Sequence, residues 1–534
     1  MPPTDATGSL CVGRSSAERV RAAAAWPYLV GTLVASVAFY LFARTFADPD
    51  LWGHLRFGQD LWATRQLIRP DPYSYLTSGV LWVNHEWLAE LAFYLIYAGL
   101  GAAGLVAAKA AAGALVAGLG YGHLLRRGVR PALAGAVTVL ALGLLRGELA
   151  TVRPQLFSHL LAMLVLLIVY QAELGRLRWI WAAPPLFAIW ANAHGGFLAG
   201  AGLVAVWAAA QAGQWLLGWV RGRRRPPLRS LVGPGLLVAS LLATLANPYG
   251  VGLWTFLLRT ATIARPEITE WQPLVLLSAD GLLYLALAAL SLAGLLQSRR
   301  QRRPALIALA ACAAALPLSA QRHVGLFAIV ALVTTGEHIG DAAERWLRLR
   351  PVAKPSGAPR APSRLMVSTS LAASAAFLAM AVVTAARGIP IAASQGAPFP
   401  ARAVALLRQS RVEGNLAVHF DWGEYVLWHL GPRIKVSVDG RRETVYTEPV
   451  YRQNLCFMSG VGEWDAVLRQ GTDMALVSKA WAMYNLMKLE PGWELVYEDP
   501  LCALFARAGS PLAARIRATA VPDVPYDGAG LRFP

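Results

Sequence analysis

The chain is a succession of apolar runs, each about 17 to 24 residues long, separated by short arginine-rich gaps. About 20 such residues cross a hydrocarbon core, where every backbone polar group must be satisfied within the segment, so these runs are constrained to be helices. Composition agrees. The chain is 56% hydrophobic and 15% charged, against about 25% charged in soluble domains. The first run, residues 26–46, is long and has no small-residue cleavage site, so it reads as a span rather than a cleaved signal peptide.

A net charge of +18 would suit a nucleic-acid partner if the cations formed a patch. They do not. Residues 14–21, 126–130, 176–178, 221–229, 299–303 and 345–364 hold 23 lysines and arginines, all in gaps between apolar runs. This is the positive-inside pattern, so the basicity reports topology and excludes nucleic acid as its explanation. Placing each cluster inside threads eleven spans near 26–46, 102–124, 131–148, 156–172, 179–193, 196–219, 230–246, 274–297, 304–320, 324–341 and 365–386. The expected fold is therefore a polytopic α-helical membrane protein with a cytoplasmic N-terminal tail (1–25). Its transmembrane domain covers 26–386, with the C-terminus outside.

Three apolar stretches are too short to span. Residues 87–100 and 51–67 are expected to lie in the headgroup layer of a first external loop (47–101), and 250–262 to form a third interfacial helix. Beyond a linker at 387–400 the charge becomes balanced and the apolar runs shorten to strand length, at 416–420, 434–438, 474–478, 493–497 and 502–506. Helical patterns at 422–430 and 461–469 lie between them. Alternation of this kind predicts a small extracytoplasmic α/β domain at 401–521, followed by a disordered tail at 522–534. Cys456 and Cys502 fall in this domain and could pair, which spacing alone does not establish.

The threading gathers the unusual polar residues at the outer boundary. The first loop reads Asp48-Pro49-Asp50-Leu51-Trp52-Gly53-His54 at one end and Asn84-His85-Glu86-Trp87 at the other. Arg153, His194, Glu267, Glu270, Arg322 and His323 follow in later turns. Ionisable residues beside a bilayer are costly and are kept for function by default. A carboxylate can take a proton from an attacking hydroxyl, and arginines can clamp a phosphate and hold charge on a leaving group. The set therefore suits transfer from a lipid-phosphate donor. Each residue also has a plainer reading. Asp48 and Asp50 can cap a helix, His54 can be an interfacial surface residue, and His85 and Glu86 can start a helix. Arg153 can anchor a headgroup, and His194 can be satisfied by backbone.

These motifs resemble the C-type (GT-C) membrane glycosyltransferases, especially the bacterial branch related to aminoarabinose and protein mannosyl transferases. Pro266-Glu267-Ile268-Thr269-Glu270-Trp271 and Asp421-Trp422-Gly423-Glu424-Tyr425 add to the likeness. The resemblance implies a catalytic acid in the first external loop, which Asp50 matches best and Asp48 next, and it places Glu86 at a second acidic position. It also implies a polyprenyl-phosphate sugar donor, an acceptor that is a glycan, lipid or protein, direct displacement with inversion, and a bacterial inner-membrane location. No cofactor or metal is expected. Many relatives carry an Asp-Glu pair where this chain has Asp50-Leu51, which leaves a paired-acid mechanism without its second acid. Two other functions stay open. A transporter would place charges deep in its spans, as Lys109 and Asp280 do here, and a non-catalytic scaffold would use the external domain alone.

Overall fold

The computed structural model describes residues 16–222, 231–261, 263, 265, 268–347, 362–391 and 398–534. Its helical part runs α1 (Ser16–Ala43), α2 (Pro49–Thr64), α3 (Trp87–Arg126), α4 (Pro131–Glu148), α5 (Gln155–Glu173), α6 (Ala183–Ala193) and α7 (Phe197–Val220). It continues with α8 (Val232–Ala243), α9 (Val251–Ala261), α10 (Ala279–Gln297), α11 (Pro304–Ala315), α12 (Val324–Thr334), α13 (Gly336–Trp346) and α14 (Arg364–Ala386). Among the described residues seven helices are long and apolar enough to cross a membrane: α1, α3, α4, α5, α7, α10 and α14. The pair α12–α13 makes an eighth if counted as one span, and the shorter apolar pieces at 177–193, 232–243 and 304–318 fall at the other three expected positions.

One span departs from the straight rod expected. Residues 324–341 are bent by 64° between α12 and α13. Thr334 and Thr335 turn their hydroxyls back onto the carbonyls of Val330 and Ala331 at the break, at 2.7 Å each, a bond that bends helices. The segment 87–100 and the span after it, both within α3, are two helices that meet at a kink at Gly101, whose φ of 63° and ψ of −164° favour a residue without Cβ, so the short helix stands apart from the span as expected. The two charges that favoured a transporter are accounted for locally. Lys109 is buried and donates to the carbonyls of Leu149 (2.6 Å) and Arg44 (3.1 Å), and Asp280 pairs with Arg146.

The C-terminal domain contains α15 (Ala401–Ser410), β1 (Gly414–Val418), α16 (Gly423–Leu430), β2 (Ile434–Val436), α17 (Arg442–Val445) and α18 (Glu448–Ser459). Then come β3 (Met474–Ser478), α19 (Met483–Leu489), β4 (Trp493–Glu498), β5 (Cys502–Arg507) and α20 (Pro511–Ala518). The five strands are ordered β2-β1-β3-β5-β4, with β1 parallel to both neighbours and β5 antiparallel to β3 and β4. Each strand falls within two residues of its expected place. The helix expected at 461–469 is replaced by α18 and a single 3-10 turn at 464–466, because Gly460 (φ 71°) and Gly462 (φ 60°) close α18 before that segment. Cys456 and Cys502 are both free.

The domain is locked onto α2. Trp52 is fully buried, and its ring meets Phe399 at 4.6 Å, Tyr425 at 5.0 Å and Phe533 at 5.1 Å. The first loop continues the sheet beyond β2: Val436 N–H donates to Tyr73 O at 3.1 Å, and Tyr75 N–H donates to Val436 O at 3.2 Å. An edge strand with unpaired backbone groups is thereby covered. The tail expected to be disordered is instead part of this packing. Phe533 is buried and its N–H donates to Ile389 O at 2.9 Å, while the carbonyls of Val524 and Tyr526 accept from Arg402 Nε (2.6 Å) and Ala401 N–H (3.1 Å). Its polar composition concealed one aromatic anchor at the end of the chain.

Candidate active site

Helix α2 begins where its sequence dictates. Asp48 caps it, accepting from the Asp50 N–H at 3.0 Å, and Pro49 occupies the first turn, where its missing N–H costs nothing. The capping role read for Asp48 is real, and it does not exhaust the residue. The other carboxylate oxygen, Oδ2, accepts from Arg153 Nη2 at 2.8 Å. The same Nη2 reaches Asp50 Oδ2 at 2.9 Å, and Nη1 reaches Glu270 Oε2 at 3.3 Å. Glu270 passes the chain on to Arg322 Nη1 at 3.5 Å, and the Arg322 guanidinium carbon lies over the Trp271 ring, 4.3 Å from its centroid. Three separate turns of the chain thus meet at the Arg153 guanidinium, and Glu270 links a fourth to it.

The Asp50 side chain is 31% exposed and that of Arg153 24%, so this node is open to a ligand on one side and enclosed by protein on the others. Burial pushes the Asp50 carboxyl up to about 7, against the pull of Arg153 and with repulsion from Asp48. A carboxylate poised near neutrality is matched to accepting a proton there. Among the described residues Arg322 is held by one long ion pair and an aromatic face, which leaves most of its N–H donors to an anion.

A second set lies beside the first. His54 Nδ1 is 3.6 Å from Glu90 Oε1, and Asn84 Nδ2 donates to Glu90 Oε2 at 2.6 Å. Glu86 stands between His85 Nε2 (3.7 Å) and His194 Nε2 (3.5 Å). His194 Nδ1 accepts from Gly196 N–H at 3.1 Å and lies 2.7 Å from Ser158 Oγ, which in turn accepts from Trp190 Nε1 at 2.7 Å. That assigns the His194 proton to Nε2, facing Glu86. Burial, with Arg322 and His85 nearby, holds His194 well below the usual histidine range. His54 moves the other way: burial opposes its charge, but Glu90 and Glu86 outweigh it and raise it. His54, Glu86 and Glu90 also offer ligand atoms within 4.8 Å of one another, a set that could hold a divalent cation.

Of the residues expected here, the structure joins Asp48, Asp50, Arg153, Glu270 and Arg322 in one chain of ion pairs, and His54, His85, Glu86 and His194 in the adjoining network. His323 precedes α12, and its side chain makes no hydrogen bond or ion pair among the described residues. Glu267 lies outside the described residues. Reading the sequence missed Glu90 and Ser158, which sit in helical patterns that look like ordinary span, and it missed Asp439-Gly440-Arg441 in the C-terminal domain. Arg441 donates to Asp71 Oδ1 (2.8 Å) and to both oxygens of Asp439 (2.9 and 2.6 Å). A run of Asp-Gly-Arg following a strand was the signal available for it.

No family model and no curated protein sequence matches the chain. Solved structures do. The oligosaccharyltransferase of Archaeoglobus fulgidus in its apo form superposes with a TM-score of 0.55 at 13% identity, over 84% of this chain and 69% of that one. ArnT from Cupriavidus metallidurans in the apo state gives 0.51 at 16% identity, over 91% of this chain and 98% of that one. The mycobacterial arabinofuranosyltransferase AftD gives 0.50 at 17%, over 91% of this chain and 42% of that one. At these identities the likeness concerns architecture. The chain has the fold of the C-type membrane glycosyltransferases.

Proposed function

We propose that the protein is a membrane glycosyltransferase that moves a sugar from a polyprenyl-phosphate donor to a hydroxyl of a glycan, lipid or protein acceptor. One observation carries this reading. A carboxylate poised near neutrality, Asp50, is paired with Arg153 on a partly exposed node that Glu270 extends to Arg322, beside the spans. In this reading Asp50 takes the proton of the acceptor hydroxyl as that oxygen attacks the anomeric carbon. The bond from that carbon to the phosphate oxygen breaks on the opposite face, inverting the centre, and the polyprenyl phosphate leaves with its charge held by Arg322 and the Arg153 node. Asp48 and Glu270 keep Arg153 in place rather than react. The histidine–Glu86 network would contact the sugar hydroxyls, and the site as read needs no cofactor.

The donor class rests on the site's own charges and its place beside the spans, since a lipid-linked donor cannot leave the bilayer. ArnT from Cupriavidus metallidurans has also been solved with undecaprenyl phosphate bound, which is a property of that protein. With the basic gaps inside, the site and the α/β domain face the extracytoplasmic side of a bacterial inner membrane, with eleven spans, the N-terminus inside and the C-terminus outside. The test is transfer from radiolabelled polyprenyl-phosphate hexoses and pentoses by the purified protein and its Asp50→Asn and Arg322→Ala variants. Asp50→Asn is expected to lose about 10²–10⁴-fold in rate, the usual worth of a general base. Undiminished transfer by that variant would remove Asp50 from the role. Solute uptake into vesicles without transfer from any donor would favour a transporter instead.

A further inference from the structure

The resemblance left the first loop one acid short, with Leu51 standing where relatives carry Glu. The structure brings another carboxylate to the same place from far along the chain. Glu424 opens α16 and is 4% exposed. Its Oε2 accepts the Gly53 N–H of α2 at 3.1 Å. A Cβ on Gly53 would lie 2.1 Å from that oxygen, so the glycine is what lets the carboxyl in. On the other side, a Cβ built on Gly440 would lie 2.6 Å from Asp50 Oδ1 and 2.7 Å from Glu424 Oε1. The two carboxyl groups therefore converge over one bare backbone position. Two carboxyl groups crowded together in a buried site do not both ionise; such a pair holds a proton between them.

We propose that Glu424 is the missing second acid: a proton-bearing positioning residue lent to Asp50 by the α/β domain, so that the active site is complete only with that domain docked on α2. This rests on the glycosyl-transfer reading. The groups around the pair favour it. Burial, with Asp50, Asp439 and Asp48 repelling and Arg441 opposing, holds the Glu424 carboxyl well above the usual carboxylate range. Arg153, Asp48, His54 and Glu270 face Asp50 from the other side. The protonated Glu424 steadies the Asp50 carboxylate without adding charge, while its Gly53 contact fixes the height of α2 against the domain. Asp421, three residues earlier and also raised by burial, contributes none of the atoms nearest Gly53 or Gly440, which belong to Glu424 and Asp50.

The test uses the full-length protein in lipid nanodiscs and compares pH profiles of transfer for wild type, Glu424→Gln and Glu424→Ala. The amide keeps the shape and the acceptor for Gly53 without titrating. It is therefore expected to retain a rate within about threefold of wild type but to lose the alkaline limb that ionisation of Glu424 imposes. The alanine variant, which frees α2 to shift, is expected to lose about 10²-fold in kcat, the scale of a 1 Å misplacement. Superimposable profiles for wild type and Glu424→Gln would overturn the proposal, as would equal losses in both variants, which would mean an ionised carboxylate is required. pH-difference infrared spectra of the same samples separate this from the parent reading. A protonated-carboxyl component at neutral pH that is present in wild type and removed by Glu424→Gln, over and above the contributions of Asp50 and Asp421, supports the pair even if no donor is ever turned over. Protonated-carboxyl intensity that is unchanged by the substitution refutes the pair independently of transfer.

Discussion

The chain builds two arginine–carboxylate nodes with nearly the same ingredients and opposite exposure. Arg441 is 4% exposed, its partners Asp71 and Asp439 are fully buried, and its guanidinium lies between 4.9 and 5.3 Å from the rings of Phe57, Tyr73 and Trp82. Tyr446 donates a further hydrogen bond to Asp439 at 2.9 Å. Arg153 has three carboxylates rather than two, yet is 24% exposed, and its buried Nε finds no hydrogen-bond partner among the described residues. The first node is saturated and sealed, which makes it a clamp between the first loop and the α/β domain. The second holds excess negative charge and is open to a ligand. Charge complementarity does not distinguish structure from site; completeness and access do.

Four changes test that contrast, the largest first. Arg153→Ala is expected to lower kcat/KM by about 10²–10³-fold, the scale of losing one preorganised donor. Its melting temperature should fall less than that of Arg441→Ala, because carboxylates open to water can take up protons rather than unfold the site. Arg441→Ala is expected to cost about 3–5 kcal/mol by leaving Asp71 and Asp439 buried without their cation. Limited proteolysis should then release the α/β domain, and unchanged protection there would mean the clamp holds nothing. The third concerns pH. Asp50 must be ionised to act, and its carboxyl is raised to about 7. The rate should therefore rise about tenfold per pH unit up to that point and then level until the alkaline limb set by Glu424, whereas an unperturbed aspartate would level near about 4. A flat profile down to pH about 5 would contradict the enclosure of Asp50. Arg146→Ala should change stability by no more than about 1 kcal/mol, because Arg146 and Asp280 are each 46% exposed.

The membrane class, the five strands and the first-loop acids were legible because each depends on local pattern: run length, alternation and charge type. Asp48 shows how far that goes. Its capping role follows from Asp before Pro at a helix start, whereas its bond to Arg153 needs a residue 105 positions away. Glu90 was hidden because a single acid in an apolar helix looks like a span boundary, and only folding sets it against His54 and Asn84. The tail at 522–534 misled in the opposite direction. Its polar, Pro- and Gly-containing composition suggests no core, yet Phe533 closes the aromatic cluster around Trp52.

By itself the sequence determined that this chain lives in a bilayer, where its basic gaps lie, and that unusual acids and arginines fall between its apolar runs. Burial in lipid forces those patterns on any such protein. What only the tertiary structure decided is which of those groups meet. Asp50 gains its neutral-range carboxyl from burial, with Asp48 and Glu270 repelling and Arg153 opposing, and Glu424 of α16 reaches the Gly53 N–H on the same helix. Coulomb interactions and desolvation act over a few ångströms in space, with no regard for distance along the chain.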